Sequence, residues 1–422
     1  MTVLWLVNIV LPEVSRLLNE QSVPYGGWLI NSSESLSKLK KCELIIASPH
    51  KSINEYTIIS GEKIKYVLFE SVKLRRGASI RSRNIFENIL EEIKPDIVHI
   101  YGTEYPHTWD MVRACKRCQI KYVISIQGLV SVYVNHFMAN IPMNIQKRFT
   151  IRDILKRENI NIQKINFEKR GRLEVNSLKE SQYVIGRTNW DRACVMNINK
   201  DVEYFHCNEI LRKEFYKHQW SIEKCKRYSI FASQGSYPIK GLHILLEALK
   251  SVIKDFPETR LYVAGPDITN FSKYMGVFKL SSYGRYINKL IKKWGLEKNI
   301  EFTGLLNEKE MSERYLRSHI FICSSSIENS PNSLGEAMLL GVPSIASYVG
   351  GIPDMFKDKE DGFLYQFDAP YMLAYYIKKI FNNDEMARKF SHNSRQHALS
   401  THSVETNTNT LWNTYNKILN RE

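Results

Sequence analysis

Short runs rich in Val and Ile alternate with longer amphipathic stretches along almost all of this chain. That alternation limits what the chain can fold into. In the first half the short runs are "TVLWLVNIVL", "CELIIAS", "KYVLFE", "DIVHIYG", "YVISIQG" and "YVIGRT", with stretches such as "IFENILEEIK" between several of them. Continuously apolar strands separated by helices predict a parallel sheet covered on both faces. The pattern restarts after about residue 226 with "YSIFASQG", "RLYVAGPD", "NIEFTGLL", "HIFICSSS", "PSIASYV" and "GFLYQF". The helices between them read "GLHILLEALKSVIKDF", "YINKLIKKWGL", "KEMSERYLRSH", "SLGEAMLLG" and "PYMLAYYIKKIF". The expected fold class is therefore α/β, with two doubly wound Rossmann-like domains. We place the first domain at 1–205, a polar linker at 206–226, the second domain at 227–402 and one further helix at 403–422.

Other features narrow the function classes. The opening "MTVLWLVNIVLPE" has no basic segment before its apolar run, so it reads as a buried first strand. No window is long and apolar enough for a membrane span, and a cytoplasmic protein is expected. The seven cysteines are scattered, and Cys115 and Cys118 form a lone C-x-x-C with no second pair to complete a zinc site. No metal is expected. Of the net charge of +15, most lies in residues 1–200. Two clusters stand out, "KLRRGASIRSR" at 73–83 and the run 147–172, which has nine basic residues against three acidic. Such blocks suit phosphates, whether of nucleic acid, anionic lipid or a charged substrate, or else form a solvated face.

Ligands of open parallel sheets bind beyond the carboxyl ends of the strands. Three such loops carry chemistry here. "SQGSYPIKG" places Gly235 in a turn and Lys240 just before a helix. "SSSIENSPNSLGEAMLLG" carries Glu328 and Glu336 eight positions apart, with a helix opening near Ser333. Gly350-Gly351 follow the next strand. A lysine, a helix start with its N–H groups and two acids suit a nucleoside diphosphate bearing hydroxyl-rich rings. A structural alternative exists for Glu336, because Ser333-Leu-Gly-Glu336 also spells a helix capping box. Glu328 could equally be an exposed loop acid.

The pieces "YPIKGLHILLEAL", "RLYVAG", "IEFTGLL", "ENSPNSLGEAMLLGVPSIAS", "VGGIPDMF" and "DGFLY" occur in the order and spacing of one family. Over about 230–365 the chain resembles the retaining, nucleotide-sugar-dependent glycosyltransferases of the E-x7-E family, known as glycosyl transferases group 1. These have the GT-B fold, two Rossmann-like domains facing a central cleft. The N-terminal half resembles them more loosely, through "KPDIVHIYG" and "PYGGW", and the helix at 403–422 resembles the segment that crosses back to the first domain. The resemblance implies that Glu328 faces the donor sugar, Glu336 holds the ribose hydroxyls and Lys240 neutralises the leaving diphosphate. It also implies donor contacts from the backbone at Asn332, Ser333 and Leu334, and an approach to the phosphates by Gly26 and Gly27.

There are departures from the family pattern. Gly235 stands where many relatives carry an arginine. Gln127 stands where many carry a histidine, and glutamine can hydrogen-bond a hydroxyl but takes no proton near neutral pH. His107 is a possible substitute, although a lone histidine is more often structural. Asp354 replaces a common glutamate.

The implied activity is transfer of a sugar, with retention and without metal or cofactor, from a nucleotide-diphosphate sugar to a glycan or lipid-linked acceptor. Cell-surface polysaccharide assembly is the expected setting, with the basic run 147–172 and its interleaved Ile145, Phe149, Ile151, Ile154 and Leu155 touching an anionic membrane at its inner face. Besides a catalytically inactive relative, prompted by Gly235 and Gln127, two alternatives remain open at this point. One is a sugar-nucleotide epimerase or hydrolase on the same fold. The other is a basic nucleic-acid-binding protein, although neither a stacking groove nor a known module is evident.

Overall fold

The computed structural model describes residues 1–21, 26–71, 80–269 and 280–420, with backbone only for 80–83. The basic run 73–83 and Pro24-Tyr25 of "PYGGW" thus lie outside the described residues, apart from the backbone of 80–83. Contacts divide the chain into two units. Unit 1 comprises Met1–Val132, Glu168–Arg212 and His402–Glu422; unit 2 comprises Tyr133–Phe167 and Lys213–Thr401. The basic run 147–172, read from sequence as part of the first domain, is divided between the units, with 147–167 in unit 2.

Among the described residues, unit 1 holds an eight-stranded sheet. Its strands are β1 (Thr2–Leu6), β2 (Glu43–His50), β3 (Tyr56–Ser60), β4 (Lys65–Glu70), β5 (Ile97–Tyr101), β6 (Tyr122–Ser125), β7 (Tyr183–Gly186) and β8 (Glu203–His206), in the order β3-β4-β2-β1-β5-β6-β7-β8. All neighbours pair in parallel except β3 with β4. The period of two along β1 sends Val3 and Trp5 to one core and Leu4 and Leu6 to the other. Helices Gly27–Ser37 and Val404–Leu419 cover the first face through Leu29, Leu36, Leu411, Tyr415 and Ile418. Helices Ile80–Ile93 and Pro106–Arg117 cover the second through Phe86, Ile89, Leu90, Met111 and Val112. A polar chain pins helix Val404–Leu419 in place. Trp5 Nε1 donates to Tyr415 Oη across 3.0 Å, Tyr415 Oη lies 2.6 Å from His99 Nδ1, and His99 Nε2 lies 2.6 Å from Ser125 Oγ. Full burial holds His99 neutral, with its pKa lowered to about 3.

Among its described residues unit 2 holds six parallel strands, β9 (Lys226–Ala232), β10 (Arg260–Val263), β11 (Ile300–Phe302), β12 (Ser318–Cys323), β13 (Ser344–Ser347) and β14 (Gly362–Tyr365). Their order is β11-β10-β9-β12-β13-β14. The chain runs outward from β9 to β11 and then returns to lay β12 on the other side of β9. The junction of β9 and β12 is therefore the switch point of the sheet, where the crevice for a ligand opens. No helix among the described residues is long and apolar enough to cross a membrane.

Candidate functional site

Both loops that leave the switch point carry a charged side chain. After β9 the chain passes Gly235 and makes a single 3-10 turn, Pro238–Lys240. Gly241, at φ +68°, then starts helix Leu242–Val252. A Cβ on Gly241 would sit 1.9 Å from the Ser324 carbonyl oxygen, so the β9 loop presses directly on the β12 loop. Two bonds fasten them: Ser324 Oγ donates to the Lys240 carbonyl across 2.9 Å, and Ser326 N donates to the Ile239 carbonyl across 2.8 Å. At Gly235, a Cβ would come within 2.8 Å of Leu242 and Val263, so an arginine there would have to displace both.

The close approach brings Lys240 Nζ to 2.6 Å from Glu328 Oε1. Ser325 Oγ donates to the same oxygen across 2.7 Å, and Glu328 is 7% exposed, so it is not a loose surface acid. Burial alone would lower the Lys240 pKa, but the adjacent Glu328 carboxylate and their hydrogen bond raise it above the ordinary lysine value. The β13 loop completes the cradle. Gly351 N donates to the Glu328 carbonyl across 3.0 Å, and Ser347 Oγ donates to the Ser325 carbonyl across 2.6 Å. Gly350 has φ +51°, and a Cβ there would lie 1.9 Å from the Glu328 carbonyl oxygen, so only glycine fits.

Helix Asn332–Leu340 follows Glu328. It opens on Pro331, whose own side chain supplies no cap bond. The capping box spelled by Ser333 and Glu336 therefore does not form, because a prolyl start places Ser333 inside the helix rather than at its cap. Of the three backbone positions expected to contact a donor, Leu334 donates its N–H to the Pro331 carbonyl across 2.9 Å. Asn332 and Ser333 stand in the first turn, where the helix dipole is positive. Glu336 lies one turn further on, 4% exposed. Unit 2 thus gathers Lys240, Glu328, Asn332, Ser333 and Glu336 on the loops and helix beyond two neighbouring strand ends.

Unit 1 holds the other expected positions. Gly26, at φ +76°, caps helix Gly27–Ser37. A Cβ there would collide with Ile9 Cδ1, so the close packing of this glycine is against the chain's own Ile9. Gln127 follows β6 and lines a small cavity of about 40 Å³ together with Trp28, Tyr101, Arg187 and Glu209. Arg187 Nη2 donates to the carbonyls of Ile126 and Gln127, each across 3.0 Å, and Arg187 Nη1 lies 3.0 Å from Glu209 Oε2. Neither Arg187 nor Glu209 was singled out from sequence, although Arg187 directly follows the end of β7 and the strand-end rule could have flagged it. His107 proves structural. It is 5% exposed, stacks on Tyr105 at 5.1 Å, and burial lowers its pKa to about 3. It is not a proton acceptor at neutral pH.

This fold, with two parallel α/β sheets, matches the GT-B architecture. Over 99% of both chains the protein superimposes on the sucrose-phosphate synthase of Thermosynechococcus elongatus, with a TM-score of 0.71 and 14% identity. It likewise superimposes on HepE from Anabaena, solved in complex with UDP-glucose, with a TM-score of 0.68 and 15% identity over 99% of this chain and 100% of that one. Residues 212–397 match the family model described as Glycosyl transferases group 1. Among curated proteins, spore coat protein SA of Bacillus subtilis is 27% identical over 195 residues, which are 46% of this chain and 49% of that protein. The chain spans about half the length of these curated relatives, spore coat protein SA and YtcC, both of Bacillus subtilis.

Proposed function

We propose that the protein is a retaining glycosyltransferase, moving a sugar from a nucleoside diphosphate sugar to a glycan or lipid-linked acceptor. We place it in cell-surface polysaccharide synthesis at the inner face of the membrane. The observation that carries the reading is the Lys240–Glu328 pair at the switch point, beside the start of helix Asn332–Leu340. The structure of HepE with UDP-glucose supports a donor of this class.

In the proposed reaction an acceptor hydroxyl attacks the anomeric carbon on the face from which the nucleoside diphosphate leaves. The bond from that carbon to the phosphate oxygen breaks, and the departing phosphate takes the hydroxyl proton. Configuration is retained, and no protein nucleophile is used. Lys240 and the N–H groups at Asn332 and Ser333 stabilise the negative charge that develops on the leaving group. They take the part that a divalent ion plays in metal-dependent transferases, so turnover in excess chelator is expected. Glu336 receives the ribose hydroxyls, and Glu328 orients Lys240 and faces the sugar. Gln127 is assigned to an acceptor or sugar hydroxyl as a hydrogen-bond partner only.

A thermal-shift panel with UDP, GDP, ADP, CDP and a short single-stranded DNA tests the reading. A ligand at a hundred times its Kd adds about 2.7 kcal/mol of stability. Stabilisation by one diphosphate supports the transferase and identifies the base of its donor. Stabilisation by DNA alone overturns it. With the matching sugar nucleotide, rapid release of free sugar without an acceptor would point to a hydrolase instead.

A further inference from the structure

Away from the Lys240–Glu328 site, unit 2 has a second recess of about 620 Å³. Five cations line it: Arg148, from the turn before helix Ile151–Lys156, and Arg285, Lys289, Lys292 and Lys293, from helix Ser282–Trp294. Positions 285, 289 and 292 fall on one stripe of that helix, while Tyr283, Ile287, Leu290 and Ile291 are buried on its other side. Among the described residues, no carboxylate lines the recess.

One buried acid fixes its walls. Asp153, fully buried, accepts from Thr150 N and from Ser282 N, each across 3.0 Å. The same carboxylate closes a capping box with Thr150 on one helix and meets the first N–H of the other. The charged stripe and the segment around Phe149 are thus held in one arrangement by a group that never reaches solvent.

The segment that supplies Ile145 and Phe149 to the recess also carries a run of exposed apolar side chains. Met143 is 66% exposed, Phe149 52%, Ile151 42%, Ile154 64% and Leu155 69%. Scattered single apolar residues are ordinary on a soluble surface, but five within thirteen positions are not. A free phosphate gives the aliphatic strip nothing to bind, and a nucleic acid would use flat rings rather than Ile and Leu. An anionic bilayer matches both parts, because its headgroup phosphates meet the cations and its acyl boundary meets the aliphatic side chains.

We propose that the recess and the strip 143–155 together form a docking surface for an anionic phospholipid bilayer, with headgroup phosphate among Arg148, Arg285 and Lys289. The surface stands independently of the transferase reading. It extends the basic run seen in the sequence to helix Ser282–Trp294, which the sequence marked only as one of the helices between strands.

Sedimentation of the full chain with vesicles tests it. One set contains phosphatidylcholine alone, the other phosphatidylcholine and phosphatidylglycerol in equal parts. The wild-type protein should partition to the anionic set only, and less so at high salt. Arg285→Glu with Lys289→Glu should reduce that partitioning at least about tenfold, since each basic residue near an anionic surface is worth about 1 kcal/mol. Ile154→Ser with Leu155→Ser should reduce it separately. All four side chains belong to exposed residues, and unchanged thermal midpoints would confirm intact folds. Equal partitioning to both vesicle sets overturns the proposal. So does anionic-vesicle binding that survives Ile154→Ser with Leu155→Ser and is displaced by inorganic phosphate, which marks a free-phosphate pocket. Binding of a short RNA in place of vesicles, lost in the charge-reversed variant, overturns it too.

Discussion

Lys240 Nζ and Glu328 Oε1 meet across 2.6 Å, joining the loops that leave the two neighbouring strands at the centre of the second sheet. Burial pushes this lysine toward its neutral form, and the glutamate reverses that effect. Glu328→Gln removes the charge but leaves the burial, so the Lys240 pKa should fall. Amine-directed acylation, read by mass spectrometry over a rising pH series, should modify Lys240 at lower pH in the variant. An unshifted curve would mean that Glu328 does not hold the ammonium.

Gly350→Ala should be costly although the methyl group is small. The residue sits at φ +51°, and the added carbon would overlap the Glu328 carbonyl oxygen. A strained backbone and a displaced loop together should cost more than about 1 kcal/mol, measured by urea unfolding. The same variant should lose turnover, because the loop that moves carries Glu328. Wild-type stability in this variant would contradict the close approach.

Glu336→Gln separates binding from stability. Glutamine keeps the length and one acceptor oxygen of this buried side chain, so the substitution should cost less in unfolding free energy than in nucleotide affinity. If Glu336 takes the ribose hydroxyls as proposed, losing its charge should weaken nucleoside diphosphate binding about ten- to a hundredfold. Calorimetric titration with the diphosphate that stabilises the wild type is the measurement. An unaltered Kd would return Glu336 to a structural role.

Glu174 should make stability depend on pH. Burial raises its pKa to about 7, against the pull of hydrogen bonds from Ser131 and Thr103. The carboxyl is thus still protonated in the folded protein at pH values where the unfolded chain has lost its proton. Stability from this group is complete below pH 4.5 and declines as pH rises from there to about 7, by on the order of 3 kcal/mol. Denaturant unfolding across that window should show the decline in the wild type, and Glu174→Gln should remove its share of the slope. Equal slopes would place the titration elsewhere. Because Glu174 also accepts from Val130 N and Ser131 N, its bonds to the loop bearing Gln127 should strengthen as it ionises, which offsets part of the burial penalty.

Much of the sheet architecture was legible because buried parallel strands leave near-continuous apolar runs, and all six strands of the second sheet were marked in this way. Two strands of the first sheet were not. Tyr56–Ser60 pairs antiparallel at one edge and Glu203–His206 lies at the other, and neither is fully buried. At the site, loop position and residue type pointed to Lys240 and Glu328, but not to their direct pairing, which depends on the approach of Gly241 to Ser324. The capping box was misleading because the four-residue pattern ignores where the helix begins, and Pro331 moves that point. Arg187 and Glu209 escaped notice because their pairing spans 22 positions and leaves no local pattern.

The bond from Trp5 to Tyr415 joins residues 410 positions apart. A ribosome therefore releases β1 long before the helix that covers its Trp5 face exists. The whole run Lys213–Thr401 must be translated in between, at about 5–20 residues per second. For roughly ten seconds or more the growing polypeptide carries a half-covered sheet, a natural substrate for chaperones that hold nascent apolar surface. Unit 2, whose two pieces are both complete by Thr401, can finish folding first. The order of maturation thus runs opposite to the order of synthesis.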